Sequence, residues 1–162
     1  MVAINQKKLN QFLASDRVSF KGVEKENLRS DKNGRISNKR FPEALGVHNF
    51  NNFVTLDYSE PHLEIVTPTF QDNSKLYAFL GELHAYVEQN LEGDLLWNYS
   101  MPPKFKGKFI KLPPYGKSNK TKLAHLYRLG LRNRYGDKMQ STAGIHFNIS
   151  FSDSVLKELN TT

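Results

Sequence analysis

The sequence has 162 residues and no cysteine, which excludes disulfides, thiolate zinc sites and cysteine nucleophiles. Hydrophobic residues make up 38% of the chain, with 11 Phe and 7 Tyr, so the chain can form a core and is not expected to be disordered. The net charge of +7 favours a polyanionic partner, such as a nucleotide phosphate or nucleic acid, or else an acidic part elsewhere in a larger protein.

The N-terminal segment predicts a short amphipathic helix over residues 3–15, with Asn5 as its N-cap. This segment lacks the continuous apolar core of a signal peptide. No apolar run in the chain approaches the ~20 residues that cross a membrane. We therefore expect a cytoplasmic protein with no membrane partner.

The next stretch predicts a strand that carries Glu24 and Glu26. Side chains two apart on a strand point to the same face, where two carboxylates repel each other unless a positive charge lies between them. Mg²⁺, Mn²⁺ and Ca²⁺ prefer oxygen ligands, so one interpretation is a metal site. The other interpretation is a solvated pair on an edge strand with no ligand.

Residues 53–68 are rich in β-branched and aromatic residues and predict a second strand region. Asp57 and Glu64 are seven apart, which would put them on opposite faces of one regular strand. Pro61 lies between them and cannot donate to a strand ladder. A bend at Pro61 is therefore expected, and it would bring both carboxylates to one side.

A long helix is predicted over 72–91 from apolar residues at helical spacing, and Gly93 ends it. His84 on this helix is interpreted as a packed or surface side chain and not as a ligand. The following segment, 95–103, is expected to be extended. It contains the single Trp of the chain.

Seven lysines fall between Lys104 and Lys122, interleaved with Phe and Tyr. This pattern is compatible with single-stranded nucleic acid, but a solvated loop around a short strand is the preferred interpretation, and no nucleic-acid partner is expected. A helix capped by Asn119 or Thr121 is predicted next. Its expected packed face is formed by Leu123, Leu126, Tyr127, Gly130 and Leu131.

The segment 139–151 predicts a central strand with strict alternation. Ile145, Phe147, Ile149 and Phe151 point one way, while His146 points the other way with Asn148 and Ser150. On this polar face, His146 is as consistent with a metal ligand as with a surface residue. A last helix is predicted from Ser154.

Seven motifs now appear in order along nearly the whole chain. They are GVEKENLR (22–29), FPEALG (41–46), TLDYSEPHLEIVTP (55–68), LLWNYSMP (95–102), YGKSN (115–119), LYRLGLRNRYG (126–136) and MQSTAGIHFNIS (139–150). In these motifs the chain resembles the N-terminal part of bacterial glutamate–cysteine ligases of the proteobacterial type.

The resemblance implies an α+β fold: a curved, mostly antiparallel sheet with helices on its outer face, forming part of a glutamine-synthetase-like funnel. It implies ATP-dependent joining of the γ-carboxylate of L-glutamate to the amine of L-cysteine through an acyl phosphate, the first step of glutathione synthesis. Mg²⁺, with Mn²⁺ as the alternative, would be the cofactor and ATP the co-substrate.

The resemblance also implies roles for individual residues. Arg128 is expected to face a phosphate, because a planar guanidinium suits phosphate oxygens. The implied metal ligands are Glu24, Glu26, Asp57, Glu64 and His146. The implied cysteine pocket contains Tyr58, Tyr127, Leu131 and Gln140.

The chain departs from the family pattern in two small ways. Lys25 stands where arginine is common, and Tyr58 stands where phenylalanine is common. The added hydroxyl of Tyr58 is expected to change how the thiol of the cysteine substrate is held. The larger departure is length, because members of the family are several times longer. We therefore expect residues 1–162 to be the N-terminal part of a catalytic domain, to lack a complete active site without a missing C-terminal part, and to expose a sheet edge and an apolar face.

Two other functions remain open. One is a non-catalytic module of the same fold that binds a Mg²⁺–nucleotide or a polyanion through the lysines of 104–122. The other is a ligase that joins glutamate to an amine other than cysteine.

Overall fold

The computed structural model describes residues 6–14, 19–105, 107, 109–114 and 116–160. In this part of the chain the strands are β1 (Ser19–Ser30), β2 (Val54–Leu56), β3 (His62–Val66), β4 (Leu95–Trp97) and β5 (Ile145–Phe151). The helices are α1 (Gln6–Leu13), α2 (Asn73–Gln89), α3 (Asn119–Tyr135) and α4 (Asp153–Asn160), and two 3₁₀ turns cover Glu43–Leu45 and Met139–Ser141.

The long strand β1 lies at the centre of the sheet, and each strand pairing is antiparallel. One edge of β1 pairs with β3, whose other edge pairs with β2. The opposite edge of β1 is shared, because β5 pairs with Ser19–Lys25 and β4 with Leu28–Ser30. The predicted α+β fold with a mostly antiparallel sheet is confirmed. Its place in a larger funnel stays a prediction.

One face of the sheet is covered by α2. Asp72 caps this helix, since its carboxylate accepts hydrogen bonds from the N–H groups of Ser74 and Lys75. The helix lies close to its predicted limits. Its buried side chains form a core with β2, β3 and neighbouring segments. The buried members of this core are Leu45, Val54, Leu56, Leu63, Ile65, Val87 and Leu91.

The prediction of a packed face on α3 is wrong. Leu123, Leu126 and Tyr127 are between 63% and 69% exposed, and Gly130 is exposed as well. Polar contacts hold this helix instead, made by arginine side chains to neighbouring main-chain and carboxylate groups. Its N-cap is Ser118, not Asn119 or Thr121.

The last strand is shorter and more exposed than predicted. It begins at Ile145 because residues 139–141 form a 3₁₀ turn, and within the described chain it pairs only with β1, so His146 does not lie on a central strand. The alternation is present, but all seven residues of β5 are exposed. The expected exposure of an apolar, helix-side surface is therefore confirmed.

The two ends of the described chain add little to the sheet. The helix predicted at the N-terminus is α1, and its proposed cap Asn5 lies outside the described residues. The predicted last helix is α4, in which Val155 is buried. Among the described helices, none has both the length and the hydrophobicity needed to cross a bilayer.

Candidate metal centre

The register of the sheet places acidic side chains on the face opposite α2. Glu26 of β1 lies directly across from Glu64 of β3, and Glu24 lies across from His146 of β5. Residues paired in this way point to the same side of the sheet. The strand pairing thus brings together side chains that are far apart in sequence.

Asp57 reaches the same face because the chain turns back between β2 and β3, and Pro61 lies in that turn, so the expected bend is confirmed. Thr55 pairs with Glu64 in the antiparallel β2–β3 ladder, and Asp57 follows Thr55 by two residues. The Asp57 N–H donates to the carbonyl of His62 at 3.1 Å, which continues the pairing. The five residues that were expected to bind metal are therefore all on one face.

Hydrogen bonds hold two of these carboxylates in place. The Gly144 N–H donates to Glu26 Oε2 at 2.8 Å, and the Asn148 side-chain amide donates to Glu24 Oε1 at 2.9 Å. The imidazole Nε2 of His146 lies 3.3 Å from Glu26 Oε1. Because these partners belong to β5 or to the segment before it, that strand fixes the carboxylates of β1.

The electrostatics of Glu64 reflect this crowding. Burial is the main cause that raises the pKa of its carboxyl group, and the negative charges of Asp57, Glu24 and Glu26 raise it further, while His146 opposes them. Like charges gathered on one face disfavour each other's ionised form. A divalent cation among these oxygens would remove that repulsion, so the donor set fits a hard metal ion.

His62 is the residue of this cluster that sequence reasoning missed. Its side chain is fully buried, with Nδ1 3.5 Å from Asp57 Oδ2 and Nε2 3.8 Å from Glu26 Oε2. Burial lowers the pKa of the imidazole, against the opposing effect of Asp57, Glu26 and the main chain of Gln140. The spacing of His62 and Glu64, two residues apart on a strand, was the signal that could have identified it.

Arg128 lies beside the cluster and forms hydrogen bonds to the main chain at the end of β2. Its Nε donates to the Asp57 carbonyl at 2.9 Å, and its Nη2 donates to the Leu56 carbonyl at 3.3 Å. The guanidinium is thereby fixed next to the residue that supplies one of the carboxylates. A contact from Arg128 to phosphate stays a prediction.

The residues of the expected cysteine pocket lie in different environments. Tyr127 is exposed on α3, while Leu131 on the same helix and Gln140 in the second 3₁₀ turn are half-buried. Tyr58 is buried in the turn between β2 and β3. Gln140 is linked to the acidic cluster, because its main chain interacts with the His62 imidazole and acts to raise the pKa of that ring.

The hydroxyl of Tyr58 donates to the buried carboxylate of Asp137. Burial and the neighbouring negative charge raise the pKa of Tyr58 to about 12. Burial also acts to raise the pKa of Asp137, but hydrogen bonds from Arg132 and Tyr58 bring it below its usual range. The Tyr58 hydroxyl is thus bonded inside the fold.

Two further sequence features lie away from the cluster. His84 is half-buried on α2, as interpreted, with its Nε2 3.0 Å from the ammonium of Lys25 on the other face of the sheet. The lysines of 104–122 that the structure describes are exposed, and Lys106, Lys108 and Tyr115 lie outside the described residues.

The comparison with known proteins decides the family. A family model described as glutamate–cysteine ligase matches residues 2–162. The chain belongs to the glutamate–cysteine ligase family. A member from Hahella chejuensis is 44% identical over 136 residues, which cover 83% of this chain and 26% of that protein. A member from Wigglesworthia glossinidia brevipalpis is 41% identical over 145 residues, which cover 88% of this chain and 28% of that protein.

Solved structures agree with this membership. A glutamate–cysteine ligase from Francisella tularensis in complex with AMP has a TM-score of 0.84 and 32% identity, covering 89% of this chain and 29% of that chain. A bifunctional glutathione synthetase from Pasteurella multocida shares the fold, with a TM-score of 0.84 at 24% identity. The chain spans a little over a quarter of the length of the curated relatives named above.

Proposed function

We propose that this chain provides the metal-binding floor of a glutamate–cysteine ligase. The observation that carries the proposal is the arrangement of four carboxylates and two histidines on one face of the sheet. Membership of the ligase family supports it. The cation ligands in this proposal are Glu24, Glu26, Asp57, Glu64 and His146.

The reaction proposed is ATP-dependent. A γ-carboxylate oxygen of L-glutamate attacks the terminal phosphorus of ATP, and ADP leaves. The amine of L-cysteine then attacks the resulting acyl phosphate, loses a proton and expels inorganic phosphate. The Francisella tularensis relative with bound AMP supports an adenine nucleotide as ligand. A cytoplasmic location is part of this proposal.

Bound Mg²⁺ would neutralise phosphate charge and hold the reacting oxygens in line. The role of the chain's own side chains is to position that charge. The hydrogen bonds from Gly144 and Asn148 orient the carboxylates of Glu26 and Glu24 before any ligand arrives. Arg128 would add a positive group beside Asp57, and Tyr58, Tyr127, Leu131 and Gln140 would line the cysteine side.

Isothermal titration of Mg²⁺ or Mn²⁺ into the purified chain tests the metal floor. We expect saturable binding that is lost in the Glu24→Ala, Glu64→Ala double variant. Adding a non-hydrolysable ATP analogue should tighten metal binding, because two ligands that contact each other bind cooperatively, and the coupling is reciprocal.

The matched control is the Glu43→Ala, Glu82→Ala double variant, which removes two exposed carboxylates away from this face. It should bind the metal as the unchanged chain does. Equal loss in the control variant, or no saturable binding by the folded chain, would contradict the proposed floor.

A further inference from the structure

His62 combines complete burial with an unusual lack of polar satisfaction. Within the described chain neither of its ring nitrogens makes a hydrogen bond of normal length and angle, and the main chain of Gln140 offers only a weaker interaction. Polar atoms that are buried in a protein nearly always find a partner, and one that does not calls for an explanation such as an ion. The imidazole therefore has unused donor or acceptor capacity directed at the acidic face.

The surroundings of the ring show where that capacity points. Nδ1 lies 3.5 Å from Asp57 Oδ2, and Nε2 lies 3.8 Å from Glu26 Oε2. One ligand atom from each of these three residues falls within 4.8 Å of the others. Ligands of one divalent ion, each about 2.1 Å from it, lie roughly 3–4 Å apart, so only a small contraction is needed.

We propose that Glu26, Asp57 and His62 form a mixed nitrogen–oxygen site for a divalent transition-metal ion such as Mn²⁺. This inference rests on the proposed metal floor and adds to it a second nitrogen ligand, from β3 on the same face as Glu64. One ring nitrogen binds the ion. The other ring nitrogen also faces one of the two carboxylates, which can bind the ion through one oxygen and accept from the ring N–H through its second oxygen, an arrangement that commonly orients a ligating histidine.

The nitrogen ligand has a consequence for metal selection. Mg²⁺ prefers oxygen ligands, whereas imidazole suits transition metals and Mn²⁺ accepts both nitrogen and oxygen. With His62 in the site, the chain should prefer Mn²⁺ to Mg²⁺ more strongly than a site of carboxylates alone. Removing the imidazole should weaken Mn²⁺ binding by about tenfold or more and leave Mg²⁺ binding less affected.

Electron spin-echo spectroscopy of bound Mn²⁺ tests the assignment directly, because a coordinated imidazole gives a ¹⁴N coupling. His146→Asn removes the exposed histidine of the cluster, and in this variant we expect the ¹⁴N coupling to persist. The coupling should vanish in the His62→Asn, His146→Asn double variant. His84→Asn, which changes a histidine on α2, is the control and should leave the spectrum unchanged.

Metal titrations and circular dichroism of the same variants separate the outcomes. A folded His62→Asn variant with a lower Mn²⁺ to Mg²⁺ affinity ratio supports the proposal. If His146→Asn alone abolishes the ¹⁴N coupling while Mn²⁺ still binds, His62 is not a ligand, and only this inference fails. If neither the unchanged chain nor any variant binds Mn²⁺, both this inference and the proposed metal floor fail.

Discussion

Asp137 joins three parts of the chain through one buried carboxylate. It accepts hydrogen bonds from the Tyr58 hydroxyl, from the Ile110 N–H and from Arg132 Nε, the last at 2.8 Å. The turn after β2, the segment before α3 and the helix itself therefore meet at this side chain. Because the Arg132 guanidinium balances its charge, the carboxylate is retained in ionised form away from water.

Tyr58→Phe should destabilise the chain by about 1–2 kcal/mol, because it removes a buried hydrogen bond to a charged acceptor. The effect should depend on pH. The folded-state pKa of Tyr58 is raised from 10.0 to about 12, so the contribution of the hydroxyl is complete below pH 10 and is lost as the pH rises through 12. Urea unfolding of both proteins below pH 10 and near pH 12 measures this difference. A stability difference that does not shrink across this range would contradict the assignment.

Arg29 is a second buried charge, on the α2 side of β1. It is fully buried, forms an ion pair with Asp94 at 3.0 Å, and donates to the carbonyls of Lys39 and Glu60. Arg29→Ala would remove this ion pair but leave Asp94 with Lys39 Nζ at 3.2 Å and Ser37 Oγ at 2.6 Å, so we expect a loss of about 3 kcal/mol in the free energy of unfolding, the lower end for breaking a buried pair. Denaturant titration measures the loss, and Lys32→Ala, at an exposed position, should change stability little.

At the scale of elements, helix α2 and the acidic strand were predictable because local patterns specify them. The spacing of apolar residues gives the helix, and the period of two puts Glu24 and Glu26 on one face. His62 and Asp137 were not predicted as parts of the site or of the core. Their roles depend on which strand pairs with which and on contacts between distant segments, and no local pattern contains that information.

The error on α3 has the same origin. Its sequence shows where apolar side chains lie around the helix, but not whether another element covers them. Leu123 and Leu126 remain exposed because the arginines of the helix, and not its leucines, make the contacts with the rest of the fold.

The N-cap of α2 gives a prediction at this scale. Asp72→Ala removes the acceptor for the N–H groups of Ser74 and Lys75 and should cost about 1 kcal/mol of stability. Thermal unfolding followed by circular dichroism measures it. Ser74→Ala keeps the same N–H group bonded and serves as the control. A loss of similar size in both variants would show that the cap is not the cause.

For the molecule as a whole, the surface of β5 on the α2 side stands out. Ile145, Phe147 and Ile149 are between 54% and 69% exposed on a strand that has an unpaired edge within the described sheet. Apolar side chains beside a free strand edge favour association between copies. The isolated chain is therefore expected to self-associate.

Charged substitutions on this surface test that expectation. Phe147→Lys with Ile149→Lys should shift the chain toward the monomer in sedimentation velocity, because each lysine disfavours burial of the strand against another molecule. Ser150→Lys adds one positive charge on the opposite face of β5 and should have less than half the effect of the double variant. If the control variant dissociates the chain equally, net charge and not the apolar surface controls association.

The pairing of β1 with β5 also determines when the acidic face forms during folding. The contacts from Gly144 to Glu26 and from Asn148 to Glu24 close loops of 118 and 124 residues, whereas the β2–β3 hairpin is local. Loop-closure entropy opposes such distant contacts, so they tend to form late, and chains rich in them fold slowly. The carboxylates of β1 would thus acquire their final orientation only in the last step, when β5 docks. A cation that binds only the completed face would then lower the unfolding rate and leave the folding rate nearly unchanged.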